Sequence, residues 1–346
     1  MKRLIAFDAR AIEGNYSGVR DIAVGLLEGL RIYCSEVRNI QVVAVGSSQE
    51  SAVADEVLAS RGFMEFGLPR LAQSMRASAI FVPRQTAPML RTVPTYAVFH
   101  DVGFLDIPGS YTRDRRMRAT TRWAGASARA LTVSEFTRER LAARGITRSA
   151  RALPIGAIHD YRRTASTSTD GRRYLLYVAA FQPHKNVERL VSAWEQAETE
   201  GYDLVVCGRG GARESAVHAA VRSSRKAESI HLVSGLSSED YGALFSNAHA
   251  YIQPSFYEGL GIPALDAAAM GTPIAVAGAA HLGRVFADGP PGMIFDPSRV
   301  TDIARAIEQL LHDPSSRGLF SDHAKATVRL TDWVQVAREA LHDFGK

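Results

Sequence analysis

The chain has 346 residues, 46% of them hydrophobic and 22% charged, with a formal net charge of +5. This length suffices for two domains with separate cores, and the composition argues against disorder or a fibrous repeat. The two cysteines form no C-x-x-C pair, which argues against a disulfide framework and a zinc site and favours a cytoplasmic protein.

Basic residues are concentrated in the N-terminal half of the sequence. Residues 1–165 contain 24 Lys and Arg against 15 Asp and Glu, so the remainder of the chain is acidic. Such a half suits an anionic partner: a phospholipid surface, a lipid-linked diphosphate or nucleic acid. We do not expect nucleic acid, because the aromatic residues are not interleaved with the basic ones as a stacking platform.

Short strand-like runs alternate with helical periodicity along the N-terminal half. Strands are expected at LIAFDA, IQVVAVG, AIFVP and TYAVFHD, with a first helix over about residues 19–33. This βα rhythm predicts a Rossmann-like domain with a parallel sheet over residues 1–162.

The same rhythm returns after a polar segment. RRTASTSTDGRR is too rich in Ser and Thr to bury a face, so residues 163–173 are expected to form a hinge. Strands such as YLLYVAA, DLVVCG and AYIQPS then predict a second Rossmann-like domain over residues 174–330. Residues 331–346 have the apolar spacing of a helix, and the first domain is one surface on which that helix could dock.

The segment YIQPSFYEGLGIPALDAAAMGTPIAV, residues 251–276, is the most informative. Glu258 follows a strand, at the end where open α/β sheets bind ligands, and Gly259 and Gly261 allow the backbone to approach a ligand closely. Amides at the start of the following helix can receive hydroxyl or anionic oxygens. Asp266 comes eight residues after Glu258, so a helical connection would put both carboxylates on one side of a site. Solvent exposure or local capping by Asp266 is the alternative.

This segment resembles the donor-binding signature of glycosyltransferase family 4. The match rests on Pro254, Ser255, Glu258, Gly259, Gly261, Pro263 and Ala264. The resemblance implies a GT-B fold, with two facing, doubly wound Rossmann-like domains, parallel sheets and an interdomain cleft. It also implies that Glu258 holds hydroxyls of the transferred sugar, together with the loop amides of Gly259, Leu260 and Gly261. The second carboxylate of the family pattern is a glutamate. Here Asp266, one methylene shorter, takes its place at the nucleotide ribose.

A second segment, YLLYVAAFQPHKNVERL over residues 174–190, resembles the family element that loops from a strand toward the donor diphosphate. The resemblance assigns Lys185 to that diphosphate, where an ammonium group would neutralise charge on the leaving group. An ordinary solvated lysine is the alternative. Some relatives carry an arginine at the position of Ala179. Its absence here makes Arg209, in the turn VVCGRGG, the candidate for a second cation.

In the N-terminal half, the resemblance points to two residues near strand ends. Gly18 opens a helix after Ser17 and would lie near the diphosphate, and His100 ends the strand TYAVFHD and would contact the transferred sugar. A plain helix cap and a structural histidine are the corresponding alternatives.

A later segment, SYTRDRRMRATTRWAGASARA, concentrates arginines beside aromatic residues. It suits anionic headgroups, a lipid diphosphate or simple solvation of a helix face. The residues concerned are Tyr111, Arg113, Arg115, Arg116, Arg118, Arg122 and Trp123.

The activity implied by the resemblance is retaining, metal-independent transfer of a hexose from a nucleotide sugar. GDP-mannose is the first donor expected. The expected acceptor is a glycan or lipid-linked oligosaccharide of bacterial surface polysaccharide, such as lipopolysaccharide, with the protein cytoplasmic or peripheral at the inner membrane face. No Asp-x-Asp motif offers ligands for a divalent cation, so neither a metal nor another cofactor is expected. The alternative is a non-catalytic GT-B subunit that binds a glycan or a nucleotide sugar.

Overall fold

The computed structural model describes residues 3–13, 17–37, 39–48, 51–58, 62–107, 114–157 and 172–344. By its contacts the chain divides into two compact units. The first comprises Met1–Leu105, Arg113–Ile158 and Leu330–Lys346, and the second comprises Asp106–Thr112 and His159–Arg329. Most of the segment 106–112 lies outside the described residues. The predicted hinge, 163–173, lies outside the described residues except for its last two, and the second of these is already part of a strand.

The first unit is built from βα repeats. Its described strands are β1 (Arg3–Asp8), β2 (Ile40–Gly46), β3 (Glu56–Val57), β4 (Ala79–Val82), β5 (Thr95–Phe99), β6 (Arg129–Thr132) and β7 (Arg151–Ala152). Its described α-helices are α1 (Gly18–Val37), α2 (Leu68–Ser74), α3 (Gly103–Asp106), α4 (Asp114–Ser127) and α5 (Glu135–Ala143), with α13 (Trp333–Ala340) from the end of the chain. A 3₁₀ turn at Ala9–Ala11 and a π-helical turn at Phe63–Gly67 complete the described elements.

The seven described strands of this unit form one parallel sheet in the order β3-β2-β1-β4-β5-β6-β7. Alternate side chains cover its two faces, as the two-residue period of a strand requires. On one face Ala6 and Ile80 pack in a cluster with Leu68 of α2. On the other, the rings of Phe7 and Phe81 stack with centroids 5.6 Å apart. Both faces of the central strands are therefore buried, which explains their unbroken apolar runs.

The C-terminal helix α13 packs on α1 in the first unit, where glycines admit its tryptophan. A Cβ atom on Gly25 would lie 2.0 Å from a ring carbon of Trp333, and one on Gly29 would lie 2.0 Å from the Trp333 carbonyl oxygen. The Trp333 indole Nε1 donates a hydrogen bond to the carbonyl of Ala157 at 2.6 Å. Small residues on α1 thus create the groove that α13 occupies.

The second unit repeats the βα pattern. Its described strands are β8 (Arg173–Val178), β9 (Tyr202–Cys207), β10 (Ile230–Val233), β11 (Ala250–Gln253), β12 (Ile274–Ala277) and β13 (Ile294–Phe295). Its described α-helices are α6 (Val187–Gln196), α7 (Glu214–Ser223), α8 (Ser238–Ser246), α9 (Ile262–Met270), α10 (Ala280–Val285), α11 (Val300–His312) and α12 (Pro314–Thr327). Single 3₁₀ turns lie at Pro183–Lys185 and Ala227–Ser229.

The strands of the second unit form a parallel sheet in the order β10-β9-β8-β11-β12-β13. Chain order reverses beside the first strand in both sheets, between β1 and β4 in the first unit and between β8 and β11 in the second. Open parallel sheets bind ligands outside the carboxyl ends of the strands at such a reversal. Each unit is therefore a Rossmann-like α/β unit with one topologically favoured ligand edge.

Candidate donor site in the second unit

Two predicted site residues meet at the ligand edge of the second unit. Lys185 follows β8 and Glu258 follows β11, the two strands that flank the reversal of chain order. The Lys185 ammonium nitrogen lies 2.8 Å from both carboxylate oxygens of Glu258. The Lys185 side chain is 20% exposed and that of Glu258 11% exposed. Lys185 is therefore not an ordinary solvated lysine but part of a largely buried ion pair.

The loop that carries Lys185 is fixed by its neighbour Asn186. This residue has a φ of +62°, in the left-handed region that asparagine tolerates better than most residues. Its side-chain amide donates to the carbonyl oxygens of Pro254 at 3.0 Å and Pro297 at 2.9 Å. The loop after β8 is thereby tied to the loop after β11, which brings the ammonium group to the carboxylate.

Buried polar side chains from the two strands support the pair. The Gln253 amide nitrogen donates to Glu258 Oε1 and to Ser255 Oγ, both at 2.8 Å. The Tyr177 hydroxyl donates to the Lys185 carbonyl at 2.8 Å and lies 3.0 Å from Ser255 Oγ. Both members of the pair therefore have defined positions, since their backbone or side-chain atoms are held by groups that are themselves buried.

Electrostatics favour the ionised form of Glu258. Burial acts to raise the pKa of Glu258, but the charge of Lys185 and hydrogen bonds from Lys185 and Ser255 outweigh it, so the pKa is lowered from 4.5. The pKa of Tyr177 is raised well above 10 by burial and by the charge of Glu258, so its hydroxyl stays a neutral donor. A ligand with negative charge would compete with Glu258 for the ammonium group, and one with hydroxyls could donate to the carboxylate.

The glycine-rich turn after Glu258 approaches a neighbouring helix closely. Gly261 has a φ of +80°, and a Cβ atom there would lie 2.8 Å from the Leu282 side chain of α10. Gly259 and Leu260 are buried in the same turn, and α9 begins only at Ile262. The backbone amides at the start of α9 thus follow Glu258 within a few residues of the sequence, as the sequence pattern predicts.

The segment that leads to Asp266 differs from the sequence argument, and the burial of Asp266 excludes one of the alternatives. Residues 258–261 form a turn rather than a helix, so the two full helical turns assumed between Glu258 and Asp266 are not present. Asp266 is also only 4% exposed, so the alternative of a solvent-facing side chain is wrong. It lies in α9, where Ala264, Ala267 and Ala268 are buried as well.

Arg209 stands outside this network. It lies in the turn after β9 and is exposed. That turn packs directly against the loop after β8, since a Cβ atom on Gly208 would lie 1.8 Å from the Ala179 carbonyl oxygen. The turn thus packs against the loop that leads to Lys185. The Arg209 guanidinium group nevertheless takes no part in the hydrogen bonds of the Lys185–Glu258 pair.

The remaining predicted residues lie in the first unit. Gly18 is the first residue of α1, and Ser17 Oγ accepts a hydrogen bond from the Arg20 amide at 3.2 Å, as in an ordinary helix cap. His100 Nε2 lies 2.8 Å from the Pro83 carbonyl oxygen, so that nitrogen carries the proton and Nδ1 is an acceptor. Burial lowers the pKa of His100 to about 4. His100 is therefore neutral near pH 7. Its Nδ1 could accept a hydrogen bond from a ligand, but the ring has no charge to neutralise an anionic ligand group.

Some polar residues of the two ligand edges were not identified from the sequence. In the second unit these are Tyr177, Gln253 and His281, the last with a ring Nε2 that is buried without a hydrogen-bond partner among the described residues. In the first unit Asp8, wholly buried at the end of β1, binds Arg10 at 2.8 Å and Arg84 at 3.3 Å. The available signal was a polar residue at the end of an apolar strand, as at Asp8 and Gln253.

The described part of the chain has neither a metal-binding cluster nor a membrane-spanning helix. No group of three or more His, Cys, Asp or Glu side chains there is arranged to hold a metal ion. No helix there is long and apolar enough to cross a membrane.

The sequence of the second unit matches a known family, and curated proteins match larger or smaller parts of the chain. Residues 161–327, nearly the whole second unit, match the family described as Glycosyl transferases group 1. O-antigen chain mannosyltransferase B of Escherichia coli is 25% identical over 263 residues, which are 71% of this chain and 68% of the relative. The chain spans less than half the length of the next curated relatives that it matches.

Solved structures extend the likeness to the entire chain. Sucrose-phosphate synthase of Thermosynechococcus elongatus aligns with a TM-score of 0.76 at 16% identity, over 99% of this chain and 98% of that one. HepE of Anabaena, solved with UDP and glucose, aligns with a TM-score of 0.74 at 13% identity over 100% of both chains. The fold is GT-B. The chain is a glycosyltransferase. Its second unit carries the group 1 sequence pattern, and the Lys185–Glu258 pair lies inside the matched residues.

Proposed function

We propose that this glycosyltransferase moves a hexose from a nucleotide sugar to a hydroxyl of a glycan or lipid-linked oligosaccharide in surface polysaccharide synthesis. The observation that carries the proposal is the Lys185–Glu258 pair at the topological reversal of the second unit, with both nitrogen–oxygen distances at 2.8 Å. GDP-mannose is the first donor to test because a relative over 71% of the chain is an O-antigen mannosyltransferase. UDP-glucose is the second, because a whole-chain structural neighbour was solved with UDP and glucose.

Lys185 would bind the diphosphate of the donor. An ammonium group has three N–H donors, so it can keep one hydrogen bond to Glu258 and give others to phosphate oxygens. Negative charge grows on the diphosphate as the glycosidic bond breaks, and a fixed positive charge stabilises that state more than the ground state. We propose that this cation and the amides at the start of α9 supply the stabilisation without a divalent metal.

Glu258 would orient the sugar. Its carboxylate is ionised and accepts hydrogen bonds, so hydroxyls of the transferred hexose can donate to it once Lys185 turns partly to the phosphate. We assign it no nucleophilic role, because its oxygens are committed to Lys185 and Gln253. Transfer with retained configuration would then have the acceptor hydroxyl attack on the face from which the diphosphate leaves, with the leaving oxygen taking the acceptor's proton.

The roles of Gly18, Arg209, Asp266 and His100 toward the donor remain predictions of the resemblance. Peripheral attachment at a membrane also belongs to the proposal, because a lipid-linked acceptor is presented at a bilayer surface. Retention of anomeric configuration would be read from the product by NMR, and an inverted product would contradict this part of the proposal.

The first test is thermal stabilisation of the EDTA-treated protein by GDP, UDP, ADP, GDP-mannose and UDP-glucose. A bound nucleotide raises the melting temperature by mass action, so one nucleotide series should stand out. Lys185→Gln should remove the shift, whereas Lys325→Gln, on the exposed surface of α12, should keep it. The double variant Lys185→Gln/Glu258→Gln removes both charges of the pair and separates lost binding from a misfolded site.

Transfer by the EDTA-treated protein is the second readout. With Lys185→Gln we expect kcat to fall by about 10²–10³-fold, as for removal of one preorganised charge-stabilising donor. Absence of a thermal shift with all five nucleotides, or an equal shift in Lys185→Gln, would contradict the assignment of Lys185 to the donor diphosphate. Recovery of transfer only on addition of Mg²⁺ would contradict the metal-independent mechanism.

A further inference from the structure

Four large apolar side chains are exposed on one surface of the first unit. Phe66 is 48% exposed, Met89 59%, Leu90 38% and Trp123 38%. They come from three separate segments: the π-helical turn, the connection from β4 to β5, and α4. Exposed apolar residues scattered singly are ordinary, but a contiguous group of large ones marks an interaction surface.

Hydrogen bonds show that the three segments are contiguous. The Trp123 indole donates to the carbonyl of Pro88 at 3.0 Å, which places α4 beside the residue that precedes Met89. The Leu90 amide donates to the carbonyl of Glu65 at 3.2 Å, which places the same connection beside Phe66. The connection therefore bridges α4 and the π-helical turn, and the four apolar side chains form one patch.

Arginines surround these apolar residues. The guanidinium of Arg91 lies over the Trp123 ring at 5.1 Å, and that of Arg70 lies over the Phe66 ring at 5.7 Å. Along α4, Arg116 precedes Trp123 by seven residues, two helical turns, and therefore shares its face. Arg115 and Arg122 are exposed on the adjoining side of that face. The four apolar residues and these five arginines, Arg70, Arg91, Arg115, Arg116 and Arg122, are called the Trp123 patch below.

Negative charge is scarce at the Trp123 patch. After Asp114 at its start, α4 contains no acidic residue. Glu65, beside Phe66, is the acidic residue of the π-helical turn and is only half exposed. Two further residues of the arginine-rich segment, Tyr111 and Arg113, lie outside the described residues. The patch thus joins apolar side chains to a local positive charge that the N-terminal half as a whole shares.

We propose that the Trp123 patch docks on a bilayer surface that contains anionic phospholipids. The apolar side chains would enter the boundary between headgroups and acyl chains, where tryptophan is favoured, and the arginines would pair with lipid phosphates around them. Arginine suits this position because its long apolar stem and planar head can lie against an aromatic ring while the charge reaches a phosphate. The patch would provide the peripheral attachment that is part of the proposed function, and in that respect the proposal rests on it. Its failure is distinguishable from failure of the donor site, because every residue in it lies apart from the Lys185–Glu258 pair in sequence and in unit.

The test is sedimentation of the full-length protein with vesicles, without substrate. Vesicles of phosphatidylcholine alone are compared with vesicles that contain phosphatidylglycerol at about three parts in ten. We expect binding to the anionic vesicles only, weakened by 0.5 M NaCl because salt screens the arginine–phosphate attraction. Arg115→Gln/Arg116→Gln/Arg122→Gln should weaken binding by about a hundredfold, at roughly tenfold or less per arginine near a charged surface.

Matched controls come from the second unit. Met89→Ser/Leu90→Ser should weaken binding by about tenfold or more through loss of inserted apolar area, whereas Leu319→Ser, at a residue 58% exposed on α12, should not. Arg305→Gln, with a side chain 70% exposed on α11, is the charge control. Melting temperatures of all variants identify any that fail to fold.

A second readout locates the contact itself. The chain has three tryptophans, and Trp194 is fully buried. Brominated lipids should quench the emission of Trp123, and Trp123→Phe should remove that quenching while the variant still sediments with anionic vesicles. Equal binding by the patch variants and their controls, binding to neutral vesicles alone, or no binding at all would overturn the proposal. So would self-association in buffer that Met89→Ser/Leu90→Ser abolishes, because it would assign the patch to a second copy.

Discussion

The ligand edges of the two units have the same topology but a different charge balance. In the second unit one lysine faces one glutamate, and the pair has no net charge. In the first unit the buried Asp8 faces two guanidinium groups, Arg10 and Arg84, so the cluster has an excess of positive charge. Similar strand order therefore sets where side chains converge, and the residues at the strand ends set which ligand charge each edge can accept.

The two carboxylates also differ in how completely they depend on their partners. Asp8 has no exposed surface, whereas the Glu258 side chain retains 11% exposure. The pKa of Asp8 is lowered from 3.8 although burial acts to raise it, because hydrogen bonds and charges from Arg10 and Arg84 prevail. An isolated buried carboxylate would not be stable in either place, so each edge relies on its cations for stability as well as for binding.

The largest effect on stability is expected from Asp8→Asn. This change leaves Arg10 and Arg84 side by side without their carboxylate, and breaking a buried ion pair of this kind costs about 3 kcal/mol. Glu258→Gln should cost less, about 1–2 kcal/mol, because Glu258 pairs with one cation rather than two and its side chain is 11% exposed. Urea unfolding at pH 7 measures both. Equal losses would show that the second cation at Asp8 contributes little.

The sign of the pH dependence follows for both carboxylates. Each has a folded-state pKa below its ordinary value, so its contribution is present above the unfolded pKa and lost as pH falls through the folded pKa. These contributions are therefore intact at pH 7 and disappear in the acid range below about pH 4. Repeating the unfolding measurement at pH 3 should bring Asp8→Asn closer to the unmodified protein.

An intermediate effect is expected from two buried histidines, one near each edge. Burial lowers the pKa of His100 in the first unit and His281 in the second from 6.5 to about 4. A lowered histidine pKa gives stability that is full above pH 6.5 and is lost as pH falls toward 4, because the unfolded chain binds the proton more readily. Unfolding free energies at pH 7.5 and 5 should differ by about 1 kcal/mol or more for each histidine.

Single variants assign that pH dependence to the two units. His100→Gln and His281→Gln should each flatten the pH slope between 7.5 and 5, and His342→Gln, at a side chain 58% exposed, is the control that should leave it unchanged. The two variants need not lose equal stability at pH 7.5, because His100 has a hydrogen bond to Pro83 and the His281 Nε2 has none among the described residues. An unchanged slope in both variants would contradict the neutral assignment.

The sequence predicted the second edge better than the first for a physical reason. At the second edge, Glu258, its glycine turn and the start of α9 lie within a few residues of each other, so local pattern carries the information. At the first edge, Asp8 and Arg84 are separated by 76 residues, and only the parallel pairing of β1 with β4 brings them together. The apolar runs of the strands were enough to predict both sheets, since burial on two faces leaves few polar positions.

Other parts of the second edge depended on details that no motif supplied. The role of Asn186 in joining two loops arises from a left-handed backbone and two carbonyl partners that are distant in sequence. The difference at Asp266 has a similar origin. The sequence prediction assumed helical spacing from Glu258 to Asp266, but Gly261 allows a turn before α9 begins. The sequence pattern located the segments that contain Asn186 and Asp266. The contacts of these residues could be identified only from the folded structure.

The smallest effect is expected from Arg209→Ala. This variant tests whether the second edge has a second cation beside Lys185, as the first edge has both Arg10 and Arg84. Arg209 is exposed and free of the Lys185–Glu258 hydrogen bonds, so its removal should change the unfolding free energy by less than about 0.5 kcal/mol. An exposed cation attracts a diphosphate weakly through water, so the donor KM should rise by no more than about threefold with kcat unchanged. Arg209→Lys, which keeps the charge, is the matched control. A tenfold rise in KM for Arg209→Ala that Arg209→Lys restores would mean that Arg209 contacts the diphosphate, and the second edge would then be as cation-rich as the first.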